Sequence, residues 1–294
     1  MKIGAVSYLN TKPLIASLRK TLGVEDELRL DLPSRLASQL ANRELDIGLI
    51  PVVEFLRGPK FLAHSQRQPS DEANSYRILS DGMIGCKGIV RSVRLFFRTD
   101  PSQVKTLAID EGSKTSEALS KILLADICNV HPKIIPLPIS SNPDKTPGDA
   151  VLVIGDRAMH PQAFQSFQSD WDLGAKWFEH TGLPFVFAMW VGREDCETPI
   201  WKERFEVARD EGLASLPELC DRYASSYDLS HEQCMEYLGS NLRFKMTSED
   251  LLGLKTFYNR AVDWGLVPSD LRPRWPTLAT TTVSDERIPA TIIQ

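Results

Sequence analysis

The sequence predicts an α/β protein in two lobes. Three observations lead there. Short apolar runs of strand length alternate with amphipathic stretches of helical period; that alternation breaks off and begins again near Val104; and a long apolar run, Leu183–Val191, is suited to carry the chain back to the first unit. A chain of 294 residues, 42% hydrophobic and 25% charged, fits two lobes of ordinary size with real cores.

Lys2–Val6 reads as the first strand, and Ser7-Tyr8-Leu9-Asn10-Thr11 follows it. Asn10 or Thr11 suits a helix cap and Pro13 a first turn, with the helix running to about Leu22. Leu28–Leu32 is the second strand, and Pro33-Ser34 opens a helix with Leu36, Ala37 and Leu40 on one face. Asp46–Val52 is apolar after its first residue, the pattern of a parallel strand buried on both faces. Gly58 to Ser75 is polar and interrupts the pattern, as a surface excursion would. Arg77–Ser80 and Ile89–Phe97 then read as strands.

The second unit has strands at Thr106–Asp110, Lys133–Leu137 and Asp149–Ile154, with an amphipathic helix through Leu119, Ile122, Leu123 and Ile127. Trp171 to Phe178 is a turn and short helix. After Leu183–Val191 the chain is helical: Pro199–Leu216, Pro217–Ser226, Ser230–Leu238 and Ser248–Trp264. Ser230 with Gln233, and Thr247 or Ser248 with the acidic residues beyond, fit capping boxes. The expected division is lobe 1 at residues 1–97 and 190–268, lobe 2 at 98–189, and a disordered, dispensable tail at 269–294. A chain that leaves one lobe and returns is the plan of the type II periplasmic-binding-protein-like fold, whose cleft is the default ligand site.

Charge and composition exclude several classes. The net charge of −5 and the absence of a Lys/Arg run speak against a nucleic-acid partner. The opening apolar stretch is too short for a signal peptide, and no later segment approaches the ~20 apolar residues of a membrane span. The expectation is a cytoplasmic monomer or homodimer with a small-molecule substrate, no membrane association and no cofactor. Cys86, Cys128, Cys196, Cys220 and Cys234 have no zinc spacing and read as packing thiols. His64, His131, His160, His180 and His231 form no triad or metal pattern, so no metal is expected. No Rossmann glycine pattern is present.

Four segments are candidates for chemistry. Ser7, Tyr8, Asn10 and Thr11 follow a strand's carboxyl end, where open α/β sheets bind ligands; hydroxyls and backbone N–H groups there hold a carboxylate or simply cap the helix. Glu111-Gly112-Ser113-Lys114-Thr115-Ser116 is an anion cradle or a cap, with Ser113, Thr115 and Ser116 as candidate ligands, and it lacks P-loop spacing. Ser92, in the expected apolar strand, needs a partner: substrate or a neighbouring carbonyl. Gly155 and Asp156 sit at a strand-to-helix junction, where Asp156 acts in the cleft, caps the helix or pairs with a cation.

These segments resemble the chorismate dehydratases of the futalosine route to menaquinone. The opening Ile3-Gly4-Ala5-Val6-Ser7-Tyr8-Leu9-Asn10-Thr11-Lys12-Pro13-Leu14 is similar to theirs. So are Asp46–Pro51, Val90–Val93, Ile154–Ala158, Trp171–Gly174, Ser226–Ser230 and, most specifically, Thr181–Ala188 followed by Trp190. The similarity runs in order through residues 1–268, departing near 62–75, at Gly85–Gly88 and after 268. A sister family on the same fold uses a histidine base near Gly155-Asp156; this sequence has none there.

The resemblance implies a hydro-lyase. Chorismate loses its ring hydroxyl and the proton of the adjacent ether-bearing carbon, giving aromatic 3-[(1-carboxyvinyl)oxy]benzoate. The ring carboxylate activates that proton vinylogously. Asn10, Ser92 and Asp156 are the implied catalytic residues. The proton acceptor is either the substrate's enolpyruvyl carboxylate, placed by Asn10 and Ser92, or Asp156. The rival reading is a cytoplasmic solute-binding or sensor protein for a small aromatic carboxylate, which keeps the anion cradles and turns nothing over.

Overall fold

Parallel strands need a crossover between them, and the alternation read from the sequence supplies one after each early strand. The structure, a computed structural model, describes residues 1–59, 76–110, 112, 114–138, 141–160, 164–193, 196 and 198–278. Strand β1 (Lys2–Val6) leads through a short 3-10 turn, Leu9–Thr11, into helices α1 (Lys12–Ile15) and α2 (Leu18–Thr21). Then come β2 (Glu27–Asp31), α3 (Pro33–Ala41), β3 (Ile47–Pro51), α4 (Val52–Arg57) and the long β4 (Tyr76–Cys86). The second unit holds β5 (Val93–Phe97), β6 (Thr106–Asp110), α5 (Lys114–Cys128), β7 (Lys133–Leu137), β8 (Ala150–Ile154), β9 (Ser169–Asp172) and α6 (Leu173–Thr181). The chain returns through β10 (Phe185–Arg193) to α7 (Thr198–Ala214), α8 (Leu216–Tyr223), α9 (His231–Glu236), β11 (Leu242–Lys245) and α10 (Ser248–Asp263).

Two mixed sheets make the two lobes. The first has the order β11-β4-β10-β3-β1-β2 and the second β7-β6-β8-β5-β9. In the first, β1 is parallel to β2 and β3, and β10 runs antiparallel between β3 and β4. In the second, β6 is parallel to β7 and β8, and β5 is antiparallel to β8 and β9. The apolar run β3 is buried along its whole length, as expected of a strand covered on both faces.

The sheets correct the expected crossovers near 97 and 190. Val93–Phe97 pairs with β8 and belongs to the second sheet, and Phe185–Arg193 pairs with β3 and β4 and belongs to the first. The chain therefore crosses at residues 87–92 and returns at 182–184. Apolarity alone cannot say which of two buried sheets a strand joins, which is why the boundaries shifted. Ser92 accordingly stands in a bend ahead of its strand rather than inside one.

Asp172 pins the first crossover. Its carboxylate accepts the Val90 and Arg91 N–H groups at 3.0 and 2.7 Å and caps α6 through the Ala175 N–H at 3.0 Å. Gly174 follows because nothing larger fits: a Cβ there would lie 2.5 Å from both the Cys86 Sγ and the Gly88 carbonyl. Behind the crossovers Trp177, Phe185 and Phe257 pack edge to face, with centroids 5.4 Å apart for the first pair and 5.0 Å for Phe185 with Phe257. Such pairs contribute about 0.5–1.5 kcal/mol each beyond their buried area.

The capping boxes form as read, Ser230 with Gln233 and Thr247 with Asp250. Three elements were not read from the sequence: α4, which continues the apolar run of β3; β9; and the four-residue edge strand β11. Ile127 was assigned to the buried face of α5 but is exposed. The tail is also corrected. Residues 269–278 carry no regular element, yet Trp275 packs on Tyr258 and Phe55, with centroids 5.8 and 6.4 Å apart, and the Tyr258 hydroxyl donates to the Leu271 carbonyl at 2.7 Å. Residues 279–294, and most of the expected polar excursion (60–75), lie outside the described residues. Among the described residues no helix is long and apolar enough to cross a membrane.

Candidate active site

The carboxyl ends of β1 and β3 in one sheet, and of β6 and β8 in the other, face a cavity between the lobes. From the first lobe come Tyr8, Asn10, Pro51, Ile84 and Phe187. From the second come Ser92, Gly112, Lys114, Thr115, Ser116 and Gly155. An apolar wall faces a small set of hydroxyl, amide and ammonium groups, which suits a flat ring with polar substituents.

Asn10 stands in the 3-10 turn after β1, and neither it nor Thr11 makes a side-chain cap. Its amide oxygen lies 3.4 Å from the Thr11 hydroxyl, which is wholly buried. Across the cleft Ser92 is buried, and its carbonyl accepts the Gly155 N–H at 2.8 Å, tying the crossover to the end of β8. A third side chain completes the group. The phenol of Tyr237, at the start of a π-helical turn after α9, lies beside Ser92 and Asn10. Tyr237 is fully buried, and burial raises its pKa above the ordinary tyrosine value.

Gly155 has φ +67°, in the left-handed region, and the Tyr8 ring lies against it; a Cβ there would meet three ring carbons at 3.5–3.6 Å. Burial, then the charges of Asp110 and Asp156, push the Tyr8 hydroxyl up to about 12, so it is a neutral donor. Asp110 itself is engaged by Arg157 at 2.6 Å and by the Gly112 N–H at 3.2 Å.

At the second cradle the Thr115 hydroxyl is already used. It receives the Val53 N–H and donates to the Phe187 carbonyl, each at 3.3 Å, joining the lobes. Ser116 and Lys114 remain at the cavity wall, with the Lys114 ammonium 3.7 Å from Glu117. The first turn of a 15-residue helix also brings N–H groups and partial positive charge here. Ser113 lies outside the described residues.

Three expected site residues are not in the cavity wall. Ser7 contributes backbone groups, its N–H to Asp31 and its carbonyl to the Tyr227 hydroxyl. Thr11 is buried beside Asn10. Asp156 neither caps a helix nor lines the cavity. Its carboxylate accepts the Leu9 N–H, and burial raises its pKa from 3.8 to about 6 against the lowering effects of that bond, Lys12 and His160. Sequence reasoning missed Tyr237, Lys114, Phe187 and the hinge role of Asp172. Lys114, Phe187 and Asp172 each lie in a segment that the sequence singled out, Glu111–Ser116, Thr181–Ala188 and Trp171–Gly174, and Tyr237 lies in none.

Comparison with known proteins gives the family and the fold. The chain is 27% identical to a chorismate dehydratase of Thermus thermophilus, with 87% of this chain and 93% of that protein covered. It is 25% identical to a chorismate dehydratase of Campylobacter jejuni, with 87% and 96% covered. Among solved structures, the periplasmic aliphatic sulphonate binding protein SsuA of Escherichia coli superposes with a TM-score of 0.56 at 13% identity, covering 99% of this chain and 96% of that one. The fold is thus that of the two-lobed solute-binding proteins. Residues 1–263 match the menaquinone biosynthesis family, and the chain belongs to that family.

Proposed function

We propose that this chain dehydrates chorismate to 3-[(1-carboxyvinyl)oxy]benzoate. One observation carries the reading: a single cavity is lined by Asn10 and Ser92, from opposite lobes, and by Lys114 and Ser116 in the first turn of a helix. Chorismate has two carboxylates, and the cavity has two places for one.

The helix end with Lys114 and Ser116 takes the ring carboxylate. Removing the proton from the ether-bearing carbon spreads charge through the diene onto that carboxylate, and fixed N–H dipoles and an ammonium stabilise it as it develops. Asn10 and Ser92 take the enolpyruvyl carboxylate and hold it against the proton it removes. The dienolate then expels the ring hydroxyl, which leaves as water with that same proton, and the ring becomes aromatic. Phe187, Ile84 and Ile154 present an apolar wall to the ring and exclude water. Asp156 acts from behind, holding the Leu9 N–H and so the turn that carries Asn10.

Purified protein incubated with chorismate tests the activity. The diene absorbance is expected to disappear as the enolpyruvyl benzoate forms. Saturable binding of chorismate without its consumption would sink the reading.

A further inference from the structure

Between β4 and β5 the chain leaves one sheet and enters the other, and it turns there on two residues of positive φ. Gly88, at φ +97°, takes that conformation without strain; Arg91, at φ +63°, does not. The Ser92 N–H donates to the Val90 carbonyl at 2.8 Å, so Val90-Arg91-Ser92 is a γ-turn centred on Arg91. With positive φ at its centre this is the rare, strained form, which persists only where its surroundings hold it. We propose that Asp172 is a positioning residue of the active site, its carboxylate holding the Arg91 turn and thereby aiming Ser92 into the cavity. This rests on the reading above that Ser92 holds the substrate carboxylate.

The bonds around the turn show what holds it. The Asp172 carboxylate accepts the Arg91 N–H at 2.7 Å and the Val90 N–H at 3.0 Å. On the far side the Ser92 carbonyl accepts the Gly155 N–H at 2.8 Å. Arg91 also pairs with Glu236 at 2.6 Å, but both side chains are largely open to solvent and such a pair contributes little. Ser92 is thus gripped at its N–H and at its carbonyl, and the direction of its side chain follows from the turn. That side chain is buried and lines the cavity.

Helix capping does not account for Asp172. The cap of α6 uses one oxygen, Oδ1, which accepts the Ala175 N–H at 3.0 Å. The other, Oδ2, is given to the turn, with the Arg91 N–H at 2.7 Å and the Val90 N–H at 3.2 Å. Asparagine caps a helix as well as aspartate does, but its amide has one acceptor oxygen where the carboxylate has two. A residue needed only as a cap loses nothing by that exchange.

Asp172→Asn is therefore the test. With chorismate as substrate, kcat is expected to fall about tenfold while KM stays within about twofold, because Ser92 holds the carboxylate against the proton it removes. Asp172→Ser, another good cap with no second oxygen for the turn, should be at least as slow. Adding Arg91→Gly to Asp172→Asn lets the turn form without strain and should recover about threefold or more of the loss. In a Ser92→Ala background, Asp172→Asn should cost less than about twofold, since no hydroxyl is left to aim. Wild-type kcat in Asp172→Asn, no recovery with glycine at 91, or costs that multiply in the Ser92→Ala background would each overturn the assignment. So would a slowing that only tracks the unfolded fraction in melting curves. Hydrogen exchange at the Arg91 and Ser92 amides reads the turn without any substrate: protected in the wild type, faster in Asp172→Asn. Unchanged exchange would overturn the assignment, whereas wild-type protein that leaves chorismate unconsumed would overturn the dehydratase reading.

Discussion

Two turns of this chain look alike in sequence and behave differently in the structure. Ser7-Tyr8-Leu9-Asn10-Thr11 follows β1, and Gly112-Ser113-Lys114-Thr115-Ser116 follows β6, each at the carboxyl end of a central parallel strand. Both are rich in hydroxyls and both precede a helix. In the first, the hydroxyl residues stay out of the cavity wall and the amide and phenol of Asn10 and Tyr8 face the ligand space. In the second, one hydroxyl bridges the lobes while Ser116 and Lys114 line the wall. Strand ends decide where a site lies; what packs behind each turn decides which of its residues reach it.

The comparison breaks most sharply at Asn10. Asn10→Ala deletes a bond to a charged group that we assign to the transition state, worth about 1.5–3 kcal/mol, so kcat should fall roughly tenfold to a hundredfold or more with KM little changed. Steady-state kinetics on chorismate decides it, and a variant that raises only KM would make the first turn a binding cradle like the second.

Asp156 sharpens the contrast next, because it holds the first turn from behind. Its folded pKa, about 6, lies above the ordinary 3.8. Between those values the unfolded chain gives up a proton that the folded chain keeps, so stability falls as pH rises through this window. The ionised Asp156 is therefore a burden on the fold above about pH 6. Asp156→Asn keeps an acceptor for the Leu9 N–H without the charge. Its unfolding free energy should match the wild type below the ordinary pKa of 3.8 and exceed it above pH 6, by up to roughly 2 kcal/mol once partial exposure is discounted, as melting curves across pH would show. Equal melting curves at all pH values would show that the carboxylate is not strained by burial. An Asp156→Asn enzyme that is inactive while Asn10→Ala and Ser92→Ala turn over normally would make Asp156 the base.

Much of this was readable in the sequence where a local rule governs the outcome. The buried strand β3, the Pro33 helix start and both capping boxes follow from residue type and spacing, and the strand-end turns fell where ligand sites are expected. What escaped is long-range. Tyr237 sits in a helical stretch where an aromatic reads as core, and the residues it lies beside, Ser92 and Asn10, are 145 and 227 residues away. The sheet membership of Val93–Phe97 depends on β8 and β9, which no local pattern names. Trp275 looked like part of a loose tail because its contacts, Phe55 and Tyr258, come from distant helices.

In the second turn the informative residue is Thr115. Thr115→Val keeps the shape but removes the hydroxyl that joins the lobes, leaving the buried Val53 N–H without its partner. At 3.3 Å both bonds are long, so a loss of about 1 kcal/mol in denaturant unfolding is expected, with KM raised and kcat nearly kept. A fall in kcat at constant KM would move Thr115 from bridge to catalytic residue.

The smallest effect belongs to Ser7, the first residue of the motif that drew attention to the site. Its backbone is used at both ends: the N–H reaches Asp31 at 3.2 Å, and the carbonyl takes the Tyr227 hydroxyl at 3.4 Å. Alanine preserves both of these bonds. The side chain is absent from the cavity wall and only half-buried. Ser7→Ala should change stability by less than ~0.5 kcal/mol and turnover by less than about twofold. A loss of turnover comparable to Asn10→Ala would mean that the Ser7 hydroxyl swings into the cavity when substrate binds, and the two turns would then be more alike than their resting geometry implies.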